Sequence, residues 1–335
     1  MEKHQSLKIN TLILQIITLI SITIAVTIIS ISIGSVNNSI FDVFNVIFGN
    51  SEKTNLEQIL FKIRIPRAVY ALLIGGGLSI SGAVFQAILM NPLAEPYILG
   101  ISSGGTFGTI LSLLLGLSFF ATQLLSITGA VLVMLLVFFL SKRYGNLEPG
   151  TLLLSGVMAG AFFSAIILVM TFFMDESLKT AIFWMVGSLS FASHKNLFFV
   201  TILTLSVFTY LTLHANKYNI LALGDTTAKS LGINVNVLKS TTYFLVSLLI
   251  GVLVSVSGII GFVGLLIPHI CRMIWGADNR KIIPYSFFIG ANFLLISDTI
   301  ARTIILPAEL PVGSITAIIG APFFIYLLRR RFSFK

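Results

Sequence analysis

Ten long apolar runs leave this chain little choice of environment. They cover residues 11–33, 68–90, 97–116, 119–141, 152–174, 197–214, 240–257, 259–276, 282–300 and 312–328. Most reach the roughly 17–25 residues that a tilted helix needs to cross the hydrocarbon core of a bilayer. Nothing alternates with a period of two, which disfavours a membrane barrel. Composition agrees: 56% of residues are hydrophobic and only 10% are charged, against roughly 25% charged in an ordinary soluble domain. A soluble fold would have too few polar residues for its surface. The expectation is an all-α polytopic membrane protein of about ten transmembrane helices, one transmembrane domain over residues 1–335. The same numbers exclude a disordered chain, and the single cysteine, Cys271, excludes an intrachain disulfide.

The first run follows Lys3 and Lys8 and ends near the small-residue site Ser32-Ile33-Gly34. It exceeds the roughly 7–15-residue core of a signal peptide, so it reads as an uncleaved span. The net charge of +9 is not a nucleic-acid signal, because basic residues stand singly between apolar runs. They report orientation instead. With the N-terminus inside, Lys3, Lys8, Lys142, Arg143, Lys217, Lys229, Lys239, Arg272, Arg280, Lys281, Arg329, Arg330, Arg331 and Lys335 fall on the cytoplasmic side. Lys53, Lys62, Arg64, Arg67, Lys179, Lys195 and Arg302 fall outside. This two-to-one bias predicts that both termini are cytoplasmic. Pro268, His269 and Arg272 make 259–276 the weakest span and the place to expect a broken helix. Glycines at spacings of four, Gly100, Gly104 and Gly108 or Gly156 and Gly160, point to close helix packing.

Several chemistries are missing. There is no GxxxxGK[ST] loop, no HExxH and no CxxC, and the four histidines are far apart. ATP binding by a phosphate loop, a resident metal and covalent catalysis are therefore not expected of this chain. Ion-coupled transporters place carboxylates deep in their spans. Here only Asp298 falls within one, with Arg302 one turn later as a local partner. A transporter without its own motor needs a partner, which directs attention to residues 215–239. There Asp225 or Thr226 can cap a short helix and Gly232 can end it after Leu231. Leu221, Leu223, Ala228, Leu231 and Ile233 give it an apolar face to pack on its own protein or on a soluble partner.

Ordered motifs run through most of the chain. Arg64-Ile-Pro-Arg67 precedes Gly75-Gly-Gly-Leu-Ser-Ile-Ser-Gly-Ala83, Gln86 and Asn91-Pro-Leu-Ala-Glu-Pro96. Leu99-Gly-Ile-Ser-Ser-Gly-Gly105, Trp184-Met-Val-Gly187 and Leu223-Gly-Asp225 with Ala228-Lys-Ser-Leu-Gly232 follow. Then come Gly258 to Arg272, Asp298 with Arg302, Leu310-Pro-Val-Gly313 and Gly320-Ala-Pro322. The ordered set, from about residue 60 to 330, resembles the FecCD-type permeases of iron-siderophore and vitamin B12 ABC importers.

The resemblance implies a type II importer permease that catalyses no covalent reaction. It implies a second permease subunit, identical or a close homologue, and two cytoplasmic ABC ATPases that carry the ATP and Mg. It also implies an extracytoplasmic substrate-binding protein, with an iron chelate as cargo and a bacterial cytoplasmic membrane as location. Vitamin B12 or haem is the alternative cargo, and a secondary transporter the alternative class. Leu221, Leu223, Gly224, Asp225, Ala228, Leu231 and Gly232 match the ATPase-coupling segment. Asn91 and Leu93 match one cytoplasmic gate; Glu148, Pro149 and Gly150 match the other, with Pro149 departing from its usual small polar residue. Arg64, Arg67 and Arg302 match outer positions that meet acidic residues of the binding protein.

Overall fold

The computed structural model describes residues 9–34, 46, 55–143, 146–175, 177–190 and 194–332. Lys3, Lys8, Lys53 and Lys335, counted in the charge bias, lie outside the described residues. The chain is built from helices: α1 (Ile9–Ser32), α2 (Ile65–Ile88), α3 (Ile101–Leu114), α4 (Phe119–Leu140) and α5 (Pro149–Thr171). Next come α6 (Leu178–Val186), α7 (His194–Leu213), α8 (Ala215–Leu221) and α9 (Asp225–Ser230). The last are α10 (Val235–Ser257), α11 (Val263–Trp275), α12 (Asn279–Thr303) and α13 (Val312–Phe332). A short helix, Asn55–Ile59, and a π-turn, Leu60–Arg64, lead straight into α2. Among the described residues the only strands are β1 (Lys142–Arg143) and β2 (Asn146–Leu147), an antiparallel pair between α4 and α5.

Among the described residues, seven helices are long and apolar enough to cross a membrane: α1, α2 with its lead-in, α4, α5, α7, α10 and α12. Shorter apolar helices, α3, α11 and the Val312–Leu327 part of α13, stand at the other three expected spans. The most apolar stretch of α2 is 89% buried, whereas that of α1 is not buried at all. Thus α2 is the central post and α1 lies on the outside of the bundle. Without a hydrophobic drive between helices in lipid, close packing must hold them, and small residues permit it. A methyl group at Gly75 would meet the carbonyl oxygen of Gly290, which lets α2 and α12 cross closely. Gly104 and Gly129 do the same for α3 and α4, and Gly156 packs on the backbone of Leu99. The four-residue glycine spacings are therefore packing devices.

The expected break occurs in the 259–276 run, but at its start rather than at Pro268. Pro268 lies inside α11 with the helix unbroken around it. The interruption comes upstream, where α10 ends at Ser257 and α11 resumes at Val263. Gly258 and Phe262 both have positive φ, 68° and 69°, so the chain reverses on a residue other than glycine. Amides freed by such a break need partners wherever water is scarce. Tyr97 Oη accepts from Ile260 N at 3.1 Å, and Glu95 Oε1 accepts from Phe262 N at 2.8 Å. Glu95 was not among the candidate residues; it sits on the turn after α2, outside every apolar run, yet it holds the start of α11.

Candidate functional site

At the end of the bundle formed by α8 and α9, the 215–239 segment divides into a fixed part and a hinged part. In α8, Ala215, Tyr218 and Leu221 are buried. The Tyr218 hydroxyl bonds that of Thr242 on α10 at 2.8 Å. Asn219 donates to Asp278 Oδ1 at 2.7 Å and accepts from Asn279 N at 2.8 Å, which ties α8 to the first turn of α12. Asp278 caps that turn by accepting from Arg280 N at 3.0 Å. Partial burial would raise the Asp278 carboxyl, but hydrogen bonds from Arg280 and Asn219 hold it below the usual carboxylate range.

By contrast α9 hangs between two glycines of positive φ, Gly224 at 106° and Gly232 at 83°, each with open space around it. The end is as expected: Ile233 N donates to Ala228 O and Gly232 N to Lys229 O, both at 3.0 Å, the pattern of a Schellman cap. The start is not. Gly224 occupies the N-cap, and neither Asp225 nor Thr226 caps with its side chain. Asp225 is instead turned to Lys239 on α10, whose Nζ donates to its two oxygens at 2.9 and 2.7 Å. The single apolar face read from the sequence is also divided. Leu221 and Ala228 are fully buried, whereas Leu223 and Leu231 are 66% and 59% exposed. One pair anchors the segment and the other projects outward.

Of the two expected gate regions, the structure shows local bonds in each and a recess that joins Pro149 to the end of α2. Asn91 Oδ1 accepts from Leu93 N at 2.9 Å, so its side chain closes a local turn, and Leu93 is exposed. Glu148 Oε2 accepts from Thr151 Oγ1 at 2.9 Å, Pro149 opens α5, and Gly150 has nothing near it. Ile88 and Leu89 at the end of α2 share a small recess with Leu147, Pro149, Leu152 and Lys239.

The opposite end carries a charge cluster. Asp298 is buried, and Arg67 grips it through Nε at 3.1 Å to both oxygens and Nη2 at 2.9 Å to Oδ1. The expected partner, Arg302, stands 3.7 Å away and is secondary; it also donates to Ser30 of α1. Arg67 Nη1 reaches Glu309 at 2.8 Å, and Ser190 Oγ donates to the same carboxylate oxygen at 2.9 Å. Burial would raise the Glu309 carboxyl; the bond and charge of Arg67, with Ser190, hold it low. Arg64 donates to the carbonyls of Ile31 and Ser32 at 2.8 and 3.2 Å. A cavity of about 270 Å³ borders Arg64, Arg67, Arg302 and Glu309. All three expected docking arginines thus lie together, each with an internal partner. Arg67 and Asp298 are too far apart in sequence for helix spacing to reveal the pair.

A helical bundle with discontinuous spans, an exposed hinged segment at one end and a charge cluster at the other defines a multi-pass membrane permease. The chain matches the FecCD transport family over residues 22–330 and belongs to it. It is 41% identical over 290 residues to a Helicobacter pylori (strain J99) protein named "Probable iron chelatin transport system permease protein", covering 86% of this chain and 88% of that one. It is 40% identical over 279 residues to the vitamin B12 import system permease protein BtuC of Vibrio vulnificus (strain CMCP6), covering 82% and 83%. A solved structure described as an inward-facing conformation of a metal-chelate type ABC transporter superposes with a TM-score of 0.85. It has 31% identity and covers 94% of this chain and 98% of that one.

Proposed function

We propose that this ABC-importer permease carries a ferric siderophore across the cytoplasmic membrane, driven by ATP hydrolysed on partner subunits. The α8–α9 end is then cytoplasmic and the Arg67 end external, as the basic-residue bias suggests. The observation that carries the reading is the exposure of Leu223 and Leu231 on a segment hinged at Gly224 and Gly232. Apolar side chains projecting from a short polar helix need a covering partner, and an ATPase groove supplies one. Alternating access between two such permease subunits then needs no chemistry from this chain. At the other end Arg64, Arg67 and Arg302 border one cavity, and clustered guanidinium groups favour an acidic docking protein. Membership in the family sets aside the ion-driven transporter.

The coupling assignment is tested with Leu231→Asp. A buried charge without a partner costs several kcal/mol, so the variant should insert but lose the co-expressed ATPase in pull-down. Retention of the ATPase with normal uptake would remove this segment from the interface. The cargo is tested by uptake of iron-labelled siderophores against labelled vitamin B12. The relationship to a vitamin B12 permease makes cobalamin the second reading. Uptake of cobalamin alone would establish it.

A further inference from the structure

Lys239 stands in the second turn of α10 and is 3% exposed. A buried ammonium needs a counter-charge, and among the described residues its only hydrogen-bond partner is Asp225. Asp225 is the first residue of α9, next to the Gly224 hinge, and its side chain is 41% exposed. Lys239 also lines a small recess together with Ile88 and Leu89, after which one gate turn begins, and Leu147, Pro149 and Leu152, around the other. One side chain is therefore bonded to α9 and borders the recess between the end of α2 and the start of α5.

We infer that Lys239 is a positioning residue that relays displacement of the α9 segment to the two gate loops through its ion pair with Asp225. The inference rests on the proposed coupling role of α9 and adds the route from that segment to the pore. The physical reason is the asymmetry of the pair. If α9 swings on its glycine hinges, Asp225 moves with it. The ammonium must then either follow, shifting the wall of the recess shared by α2 and α5, or stay buried without a counter-charge. The second outcome is costly, so hinge and gate move together. Hydrophobic packing alone would let α9 slide without disturbing α5. The flexible four-carbon stem of lysine suits a link that must lengthen and shorten.

The test uses the assembled transporter, permease with its ATPase subunits, in proteoliposomes. Lys239→Met keeps most of the stem and removes the charge; Asp225→Asn keeps the outline of its partner. Lys239→Met should retain the ATPase in pull-down and hydrolyse ATP, while uptake of the transported siderophore per ATP falls about tenfold, within the usual range of coupling energies. Asp225→Asn, within the coupling segment itself, should lower the same ratio by a similar factor. The exchanged pair Asp225→Lys with Lys239→Glu should recover most of that ratio, an interaction that a double-mutant cycle isolates. A purely structural role would lower assembly and hydrolysis together and leave the ratio unchanged. An unchanged ratio in Lys239→Met with the ATPase bound overturns the relay while leaving the coupling segment in place. Failure of the exchanged pair to improve on the single variants overturns it as well. If Leu231→Asp keeps both ATPase and uptake, the underlying coupling assignment has failed instead.

Discussion

The two ends of this bundle use ion pairs in opposite ways. At the Arg67 end, Asp298 is gripped by Arg67 through three hydrogen bonds and flanked by Arg302. Arg67 and Arg302 lie on separate helices, and both bear on a carboxylate shut away from solvent. At the α9 end a single ammonium meets a single half-exposed carboxylate on a six-residue helix between two glycines. The first arrangement clamps α1, α2 and α12 and, through Glu309, the loop before α13. The second is a joint. The number of bonds per charge, and whether water can replace a lost partner, separate a clamp from a joint more reliably than the presence of a salt bridge does.

The largest expected effect breaks the clamp. Asp298→Ala strands two buried guanidinium groups and should cost about 3–5 kcal/mol. It should appear as a sharply lowered melting midpoint in detergent or as loss of the folded protein. The joint should be milder and asymmetric. Asp225→Ala leaves the buried Lys239 ammonium unpaired and should cost about 1–3 kcal/mol. Lys239→Met leaves a carboxylate that water can solvate and should cost under about 1 kcal/mol. Equal costs in thermal melts would mean that the pair is not asymmetric. Next, Gly232→Ala forces a side chain onto a positive φ and should cost about 1 kcal/mol, read from exchange of the α9 amides rather than from global melting.

The smallest effect sharpens the clamp at its rim. Glu309 is half exposed, so its bond to Arg67 should contribute under about 1 kcal/mol. Its carboxyl is held low in the folded protein. The contribution is therefore present above the ordinary glutamate value, roughly 4.3, and lost as pH falls through the lower folded value. The difference in melting temperature between wild type and Glu309→Gln should hold steady from pH 7 to about pH 5 and close below about pH 4. A gap that widens on acidification would contradict the depressed carboxyl.

How far the sequence was legible follows the same division. Helices that must satisfy their own backbone in lipid announce themselves as long apolar runs, so the apolar helices could be read with no tertiary knowledge. Local geometry was legible where one turn contains both partners. Gly232 ends α9 as its conformational freedom predicts, and Arg302 does approach Asp298 one turn away. The capping role read for Asp225 failed because a distant ammonium outbid the local amides for its oxygens. The break expected in 259–276 falls at its start, Gly258–Phe262, and not at Pro268, because Glu95 and Tyr97, from another part of the chain, supply the partners that make an interruption tolerable there.

By itself, then, the sequence determined the environment, the number and order of apolar segments, the helix stops and the family motifs. All of these depend on composition or on residues within a few positions of each other. The tertiary structure alone decided that Arg67, not Arg302, is the chief partner of Asp298. It alone decided that Leu221 turns inward while Leu231 turns outward, and that Lys239 pairs with Asp225. Helix periodicity says which side chains share a face. It does not say what that face meets, because the partner is chosen by the packing of helices that lie far apart along the chain.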